Sequence, residues 1–207
     1  MRHLPSRTVE RLSEYRRSLL QCLKQGKTHI FSYELAKLHH NTAVQVRRDI
    51  MFIGYSTRLR KGYNVSELIN VIGKILDSAR TLNVVVIGMG NFGRAITAYF
   101  SGKRSKLNIV ASFDIDPKKV GRQISGIECY PISKLDDIVK KKNISIAIMT
   151  VPAGSAHDVA EMLVKAGIKG ILNFTTIPIV NYPGVYLEEY DMITSLEKVA
   201  YFVKQSE

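Results

Sequence analysis

The stretch from residue 83 to residue 114 constrains the fold more than any other part of the chain. Residues 84–87 are an unbroken run of β-branched side chains, typical of a parallel strand that is buried on both faces. The run leads directly into glycines at 88, 90 and 93, which have the spacing G-x-G-x-x-G. In such a loop the first glycine permits a tight turn, the second lets the backbone approach a pyrophosphate, and the third lets the next helix pack closely on the sheet. The free N–H groups at the start of that helix face an anion.

An acidic residue stands where a ribose contact is expected. A second predicted strand, residues 107–113, ends at Asp114, and a carboxylate at this distance from the loop accepts hydrogen bonds from ribose hydroxyls. The pattern predicts dinucleotide binding, and the alternative is a glycine-rich turn in a nucleotide-free α/β domain. Because Asp114 repels a 2′-phosphate and Ile115 and Asp116 offer no arginine to receive one, we expect NAD(H) and not NADP(H). The predicted cofactor residues here are Gly88, Met89, Gly90, Asn91, Phe92, Gly93 and Asp114.

Composition limits the class of protein. With 207 residues, 45% of them apolar, the chain has room for one to two domains with buried cores. Cys22 and Cys129 are far apart without metal-ligand spacing, so we interpret them as buried thiols of a reduced compartment and expect no metal site. The N-terminus lacks a signal-peptide pattern and no apolar run approaches membrane-spanning length, so we expect a cytoplasmic protein without membrane contact.

The net charge of +12 is concentrated in the first part of the chain. Residues 1–80 contain fifteen Lys and Arg against six Asp and Glu, a net +9, whereas residues 81–207 carry only +3. This distribution predicts a polyanionic partner for the N-terminal part. A basic domain without such a partner is the alternative.

Three predicted helices precede the glycine loop domain: residues 9–25, 32–39 and 43–53. Thr42 and Gln45 have the T-x-x-Q form of a capping box at the start of the third helix. Two short helices joined by a three-residue turn, with polar and basic side chains on the outer face of the second, are typical of a helix-turn-helix. Gln45 would bond to adenine, and Arg47 or Arg48 to guanine or phosphate. A small helical bundle with solvated arginines is the alternative.

The next stretch favours DNA binding. Residues 55–65 alternate loosely and turn at Lys61 and Gly62, which predicts a two-stranded hairpin, or wing, with basic side chains at its tip. These side chains would reach phosphates or a minor groove. The predicted DNA-binding residues are Thr42, Gln45, Arg47, Arg48, Arg58, Arg60 and Lys61.

Residues 65–80 predict a fourth helix, which links the wing to the glycine loop domain. Further strands and helices complete a doubly wound parallel sheet. Residues 126–130 predict a short edge strand, 134–142 a helix, 144–151 a central strand, 155–166 a helix and 170–174 a strand. Since ligands lie at the carboxyl ends of such strands, Thr150, Val151 and Pro152 should flank the cofactor. Residues 191–204 predict a last helix with a wide apolar stripe, which would dock on a second subunit of a dimer or fold back on its own sheet.

The predicted architecture is therefore α/β, in three parts. Residues 1–78 form a winged-helix DNA-binding domain, residues 79–189 a Rossmann NAD(H)-binding domain, and residues 190–207 a C-terminal dimerisation helix.

At this point the sequence resembles the Rex family of bacterial redox-sensing transcriptional repressors over nearly the whole chain. The stretches that carry the resemblance are Arg11-Leu12 with Tyr15 and Arg17, TAVQVRRD (42–49), GYNV (62–65), GMGNFGRAITAY (88–99), FDIDPKKVG (113–121), TVPAGSAHDVA (150–160) and AGIKGILNF (166–174).

The resemblance implies a homodimer that exchanges its C-terminal helices. It implies that NADH closes the dimer and releases operator DNA, whereas NAD+ is compatible with DNA binding. It places Tyr99 near the nicotinamide. It also implies an ionic link between Arg17 and Asp191 of the second subunit, although the sequence alone would leave these as unrelated surface charges.

The chain departs from the family pattern at several positions. In the wing, Leu59 replaces an arginine and Arg60 a glycine. The remaining departures are residues 51–53 of the third helix, Thr175-Thr176, and Met192 after Asp191. They concern operator sequence and NADH selectivity more than the fold.

Two other functions compete with a repressor. A small NAD-dependent dehydrogenase would need a substrate domain and a placed acid or base, and the sequence shows neither; His157 has no partner suited to catalysis. A CoA- or nucleotide-binding accessory protein would use the same loop and should show no salt-dependent DNA affinity.

Overall fold

The computed structural model describes residues 4–57, 61–100 and 106–205. The chain divides into two compact units, Met1–Ala79 and Arg80–Glu207. The terminal segment that the sequence set apart from residue 190 is therefore grouped with the sheet unit. No helix of the described ranges combines the length and the apolarity that a bilayer crossing requires.

In its described residues, the N-terminal unit is a winged-helix arrangement of four helices and one short ladder. Its buried side chains include Leu12, Leu19, Val46, Ile50 and Leu68, which are all fully shielded from solvent. The elements in chain order are α1 (Ser6–Lys24), β1 (His29–Ile30), α2 (Ser32–Leu38), α3 (Ala43–Phe52), β2 (Tyr63–Asn64) and α4 (Val65–Leu76).

Two helix boundaries of this unit differ from the sequence prediction by three residues or more. Helix α1 begins at Ser6, three residues earlier than predicted, directly after Pro5, whose extended backbone precedes the first turn. Helix α4 ends at Leu76 and not at residue 80, because Asp77 has extended backbone angles. The Asp77 carboxylate is held in a bidentate ion pair by the Arg16 guanidinium, at 2.7 and 2.9 Å. This contact fixes the point at which the chain leaves α4.

The predicted hairpin within residues 55–65 is wrong in its pairing. In the described part of that stretch the only strand is β2, and its partner is β1, with Ile30 opposite Tyr63 and His29 opposite Asn64. The ladder is thus closed between distant segments, which local alternation could not reveal. Arg58 and Arg60, together with Leu59, lie outside the described residues.

The C-terminal unit is built on a seven-stranded sheet of order β5-β6-β4-β3-β7-β8-β9. All neighbouring strands are parallel except the short β5, which is antiparallel to β6. The order confirms the doubly wound fold that the glycine loop predicted. The strands are β3 (Leu82–Ile87), β4 (Leu107–Asp114), β5 (Gln123–Ile124), β6 (Ile127–Pro131), β7 (Ile144–Met149), β8 (Gly170–Asn173) and β9 (Tyr186–Glu189), and the helices are α5 (Asn91–Phe100), α6 (Leu135–Lys141), α7 (Ala156–Lys165) and α8 (Met192–Lys204).

Two features of this sheet differ from the prediction. Strand β6 was expected at an edge, but β5 lies outside it and makes β6 an inner strand. Strand β9 was not predicted, because Tyr186–Glu189 contains two glutamates and no apolar run. It is recruited at the far edge by parallel pairing with β8.

The two faces of the sheet are covered unequally. Helices α6 and α7 contribute buried residues such as Leu135, Val139 and Leu163 to the larger core. On the other face, among the described helices, α5 packs against the sheet through Ile96 and Phe100. Beside it lies an apolar recess of about 110 Å³, lined by Val84, Phe100, Leu107, Ile109, Ile146, Ile148 and Leu172.

Helix α8 has no buried residue. The side chains of its predicted apolar stripe are largely exposed to solvent, Leu196 by 70% and Val199 by 58%. A terminal helix folded back on its own sheet would bury such residues. Within the described chain the apolar stripe of α8 is therefore left without a covering surface.

Candidate functional site

The glycine loop is wound tightly against β7 and is open on one side. Gly88 has φ +93°, and a Cβ there would lie 2.8 Å from the carbonyl oxygen of Thr150. A Cβ on Gly93 would lie only 1.9 Å from the Gly88 carbonyl oxygen. A Cβ on Gly90 would meet no atom within 4 Å, so this backbone faces open space. The first and third glycines are therefore required by the protein itself, whereas the second leaves room for something outside it.

Hydrogen bonds between strand ends hold the loop in place. The Gly88 N–H donates to the Phe113 carbonyl at 2.8 Å, and the Thr150 N–H donates to the Ile87 carbonyl at 2.9 Å. The Thr150 hydroxyl lies 2.7 Å from the Gly88 carbonyl oxygen. The carboxyl ends of β3, β4 and β7 are thus hydrogen-bonded together at one corner of the sheet, where the strand order reverses.

Asp114 is tied into the same corner. Its Oδ2 accepts from the Met89 N–H at 2.8 Å and from Lys119 Nζ at 2.9 Å. Its Oδ1 accepts from the Asp116 N–H at 2.8 Å. Burial raises the pKa of Asp114, but these three hydrogen bonds and the charge of Lys119 outweigh it and hold the pKa below its ordinary value. Asp114 is therefore an ionised, oriented acceptor at neutral pH.

A cleft of about 530 Å³ opens at this corner, in the size range of small-molecule sites. It gathers residues from the ends of β3, β4 and β7, as expected at the point where the strand order of a doubly wound sheet reverses. The predicted residues that line it are Gly88, Gly90, Asp114, Thr150, Val151 and Pro152. Sequence reasoning missed Lys119, which also lines it.

The other predicted cofactor residues lie elsewhere. Met89 is fully buried, and Gly93 lies beneath the loop. The Asn91 side chain accepts a hydrogen bond from Arg94 at 2.6 Å. Tyr99 is 60% exposed on α5 and is not among the described residues that line the cleft.

Phe92 belongs to a row of aromatic rings. Its ring meets that of Phe174 edge to face at 5.3 Å, and Phe174 meets Tyr190 at 5.6 Å. Tyr190 is followed by Asp191, which caps α8 by accepting from the Ile193 N–H at 2.8 Å. The hydrogen bonds that Asp191 accepts, first of all from the Thr194 hydroxyl, lower its pKa. The row thus connects the glycine loop with the beginning of α8.

In the N-terminal unit, α3 presents the predicted DNA-binding residues. Thr42 Oγ1 accepts from the Gln45 N–H at 3.1 Å, which is half of the predicted capping box. The other half is absent, because the Gln45 amide nitrogen donates to Asp49 Oδ1 at 3.0 Å instead. Arg48 and Lys61 are exposed, and Arg47 is exposed with its guanidinium 3.2 Å from Ser32 Oγ.

A buried carboxylate organises this helix. Asp49 is only 2% exposed and accepts from Arg11 at 2.7 Å through both carboxylate oxygens. The Tyr15 hydroxyl donates to it at 3.0 Å. Burial and the neighbouring carboxylate raise the pKa of Tyr15. The network connects α1 to α3, and it was missed because no motif pairs residues 38 positions apart.

Comparisons with known proteins agree with this division of the chain. Residues 3–50 match a family model described as "Putative DNA-binding protein N-terminus", and residues 79–177 match one described as "CoA binding domain". A redox-sensing transcriptional repressor Rex from Carboxydothermus hydrogenoformans is 39% identical over 203 residues, 98% of this chain and 97% of that protein. The chain belongs to the Rex family.

Other Rex proteins extend the comparison. Those of Listeria welshimeri and Bacillus licheniformis are each 34% identical over 201 residues, 97% of this chain and 94% of theirs. A crystal structure of the Rex-family repressor RSP in complex with NAD+ and operator DNA matches with a TM-score of 0.90 at 34% identity, covering 100% of this chain and 95% of that one. RSP in complex with NADH matches with a TM-score of 0.87, covering 100% and 97%. The family and the fold are thus those that the sequence predicted.

The departures from the family pattern can be located in the structure. Met51 and Phe52 are 69% and 49% exposed on the last turns of α3. Thr175 is buried, and its hydroxyl donates to the Asn173 side chain at 2.7 Å. Met192 opens α8 and is 55% exposed.

Proposed function

We propose that this protein is a transcriptional repressor that binds operator DNA and is released by NADH, and so senses the NADH/NAD+ state of the cell. The observation that carries the proposal is the combination, in one Rex-family chain, of the cleft around Gly90 and Asp114 with the basic helix α3. Its relative RSP has been crystallised with operator DNA and NAD+, and with NADH.

The cleft fits a dinucleotide. The open side of Gly90 leaves room for a pyrophosphate against the backbone, near the start of α5, where N–H groups favour an anion. Asp114 is positioned to accept from the adenosine ribose, and Thr150, Val151 and Pro152 flank the cleft. The nicotinamide half would extend towards the aromatic row that begins at Phe92. The family resemblance implies that Tyr99 also lies near the nicotinamide. The cofactor acts as an effector there.

Helix α3 is the proposed recognition helix. A winged helix inserts this helix in the major groove, with residues of its first turns at the base edges. Because Asp49 can only accept, it must face the amide nitrogen of Gln45, which leaves the Gln45 oxygen and one N–H for a base. Arg47, Arg48 and Lys61 would contact phosphate or guanine. Arg58 and Arg60 belong to the same proposed interface.

We infer a homodimer that α8 holds together. In the described chain, nothing covers the exposed apolar stripe of α8 or the apolar recess beside α5. In a dimer, the stripe of one subunit would cover the recess of the other. A two-fold dimer also suits a palindromic operator. Arg17 is exposed on α1 and is therefore accessible for the implied ionic link to Asp191 of the second subunit.

The proposed switch needs two states with different affinities. NADH would favour a dimer in which the recognition helices no longer fit successive major grooves, and NAD+ would permit the fitting one. A useful switch requires a coupling of about 1–3 kcal/mol or more. We propose no catalytic turnover, since the relatives of this chain are transcriptional repressors. A repressor of this kind would act in the cytoplasm.

A mobility shift assay on palindromic duplexes, with NADH and NAD+ titrated separately, tests this function. NADH should release the DNA at concentrations at which NAD+ does not, and the affinity should fall steeply with salt. Indifference to duplex DNA would favour an accessory protein. Steady oxidation of NADH with any substrate would favour a dehydrogenase.

A further inference from the structure

Lys119 places a positive charge beside the proposed ribose acceptor. Its Nζ lies 2.9 Å from Asp114 Oδ2 and 3.8 Å from Asp116 Oδ2. The Lys119 side chain is 30% exposed and lines the cleft, whereas the Asp114 side chain is 8% exposed. The ammonium is thus held inside the site by the carboxylate that would receive the ribose.

The acceptor positions of Asp114 are nearly all occupied. An ionised carboxylate has about four lone-pair positions, two on each oxygen. Oδ2 uses both of its positions, for the Met89 N–H and for Lys119, and Oδ1 uses one for the Asp116 N–H. One position remains for two neighbouring ribose hydroxyls. A ribose that donates through both hydroxyls must therefore displace the Lys119 ammonium from Oδ2, and it leaves this cation at the edge of the ribose.

We propose that Lys119 is a specificity-determining residue, a latent partner for a 2′-phosphate that Asp114 keeps neutralised. This inference rests on the proposed function, because it concerns the same site and the same class of ligand. With Asp114 present, a 2′-phosphate would meet the two carboxylates at 114 and 116 against one ammonium. Without the charge on Asp114, the ammonium would be free to pair with the phosphate, since lysine binds phosphate as a point charge.

The structure thereby adds to the argument for NAD(H) that the sequence provided. The sequence-based prediction considered cations only at positions 115 and 116, which offer no arginine to receive a 2′-phosphate. Lys119, five residues beyond Asp114, is such a cation, and the turn at 116–119 brings it back because the Lys119 N–H donates to the Asp116 carbonyl at 2.9 Å. Discrimination against NADPH therefore depends on the charge of Asp114 and not on the lack of a basic group.

The test measures direct binding of NADH and NADPH by calorimetry to the full-length protein and to four variants. Asp114→Asn should raise the affinity for NADPH relative to NADH by about tenfold or more, the size of one charge-assisted contact. Asp114→Asn combined with Lys119→Met should lose that gain. The matched control combines Asp114→Asn with Lys118→Met, which removes a neighbouring lysine whose side chain does not line the cleft, and it should keep the gain. Lys119→Met alone should weaken NADPH more than NADH.

Two outcomes would overturn the inference. If Asp114→Asn gains NADPH affinity equally with and without Lys119, the gain comes only from relieved repulsion. If Asp114→Asn gains no affinity for NADPH while it still binds NADH, Lys119 is not a latent partner for the 2′-phosphate.

A second measurement serves if Asp114→Asn does not fold. Comparison of 2′,5′-ADP with 5′-ADP on the protein with and without Lys119→Met should show a selective loss for the 2′-phosphorylated probe, and equal losses would refute the proposal. Failure of the unaltered protein to bind NADH would instead refute the proposed function.

Discussion

The guanidinium of Arg11 in α1 donates two hydrogen bonds of 2.7 Å each to the carboxylate of Asp49 in α3. The pair joins residues 38 positions apart and leaves Asp49 2% exposed. Because Gln45 donates to the same carboxylate, the contact that holds the two helices together also orients a proposed base-reading side chain. The stability of this unit and its proposed DNA recognition therefore both depend on Asp49.

Replacing Asp49 by Ala should destabilise the N-terminal unit by about 2–4 kcal/mol, because it leaves Arg11 and the Tyr15 hydroxyl without their buried acceptor. Urea unfolding of the full chain, followed by tyrosine fluorescence and circular dichroism, measures the loss. Arg48→Ala, which removes an exposed side chain of the same helix, is the control and should change stability by less than about 0.5 kcal/mol. Equal effects of the two changes would contradict the role of Asp49.

Arg48→Ala should instead weaken DNA binding. If Arg48 contacts a phosphate, the slope of log affinity against log salt should become shallower by about 0.9, and NADH affinity should stay unchanged. Salt titrations of operator binding by fluorescence anisotropy measure the slope. An equal loss of NADH affinity would contradict the separation of the two functions.

The glycine loop offers a paired test. Gly90→Val should abolish the NADH response and leave both the fold and DNA binding intact, because a side chain there meets nothing in the protein and would fill the space of the ligand. Gly93→Ala should destabilise the sheet unit, since its Cβ would lie 1.9 Å from the Gly88 carbonyl oxygen. Thermal unfolding and NADH release of DNA distinguish the two. A Gly90→Val protein that still releases DNA with NADH would show that the loop is not the sensor.

The lowered pKa of Asp114 predicts a dependence of stability on pH. A carboxyl whose pKa is lower in the folded state stabilises the fold above its unfolded pKa of about 3.9, and this contribution is lost as pH falls through the folded value. Asp114→Asn should therefore be less stable than the unaltered protein at pH 7, and the difference should shrink below about pH 4. Unfolding curves between pH 3 and pH 7 measure it. A difference that stays constant over this range would exclude Asp114 as its source.

Helix α8 provides a test of the dimer. Leu196→Glu should shift the protein towards monomer, because it places a charge in the middle of the apolar stripe. Lys198→Glu, on the same helix but off the stripe, is the control and should leave the association unchanged. Sedimentation velocity over a concentration series measures both. A dimer that resists Leu196→Glu would move the interface away from α8.

The sequence was sufficient wherever one local pattern determines one structure. The β-branched run into spaced glycines predicted β3, the loop and α5, because buried parallel strands and tight turns permit few residue types. Helical periodicity likewise located α1 to α4 to within a few residues, and the motif stretches predicted the family. Strands β1, β5 and β9 were missed, because each has at most four residues and is fixed by pairing with another strand.

The tertiary structure decided which charged side chains contact one another. Nothing in the spacing of residue 11 and residue 49, or of residue 114 and residue 119, states that these side chains meet. A carboxylate withdrawn from water needs donors from whichever segments pack against it, and the fold alone determines which segments those are. The sequence thus determined that this chain combines a dinucleotide loop with a basic winged helix. Only the structure placed Lys119 on Asp114, through the turn at 116–119, and Arg11 on Asp49, through the contact of α1 with α3 across 38 residues of sequence.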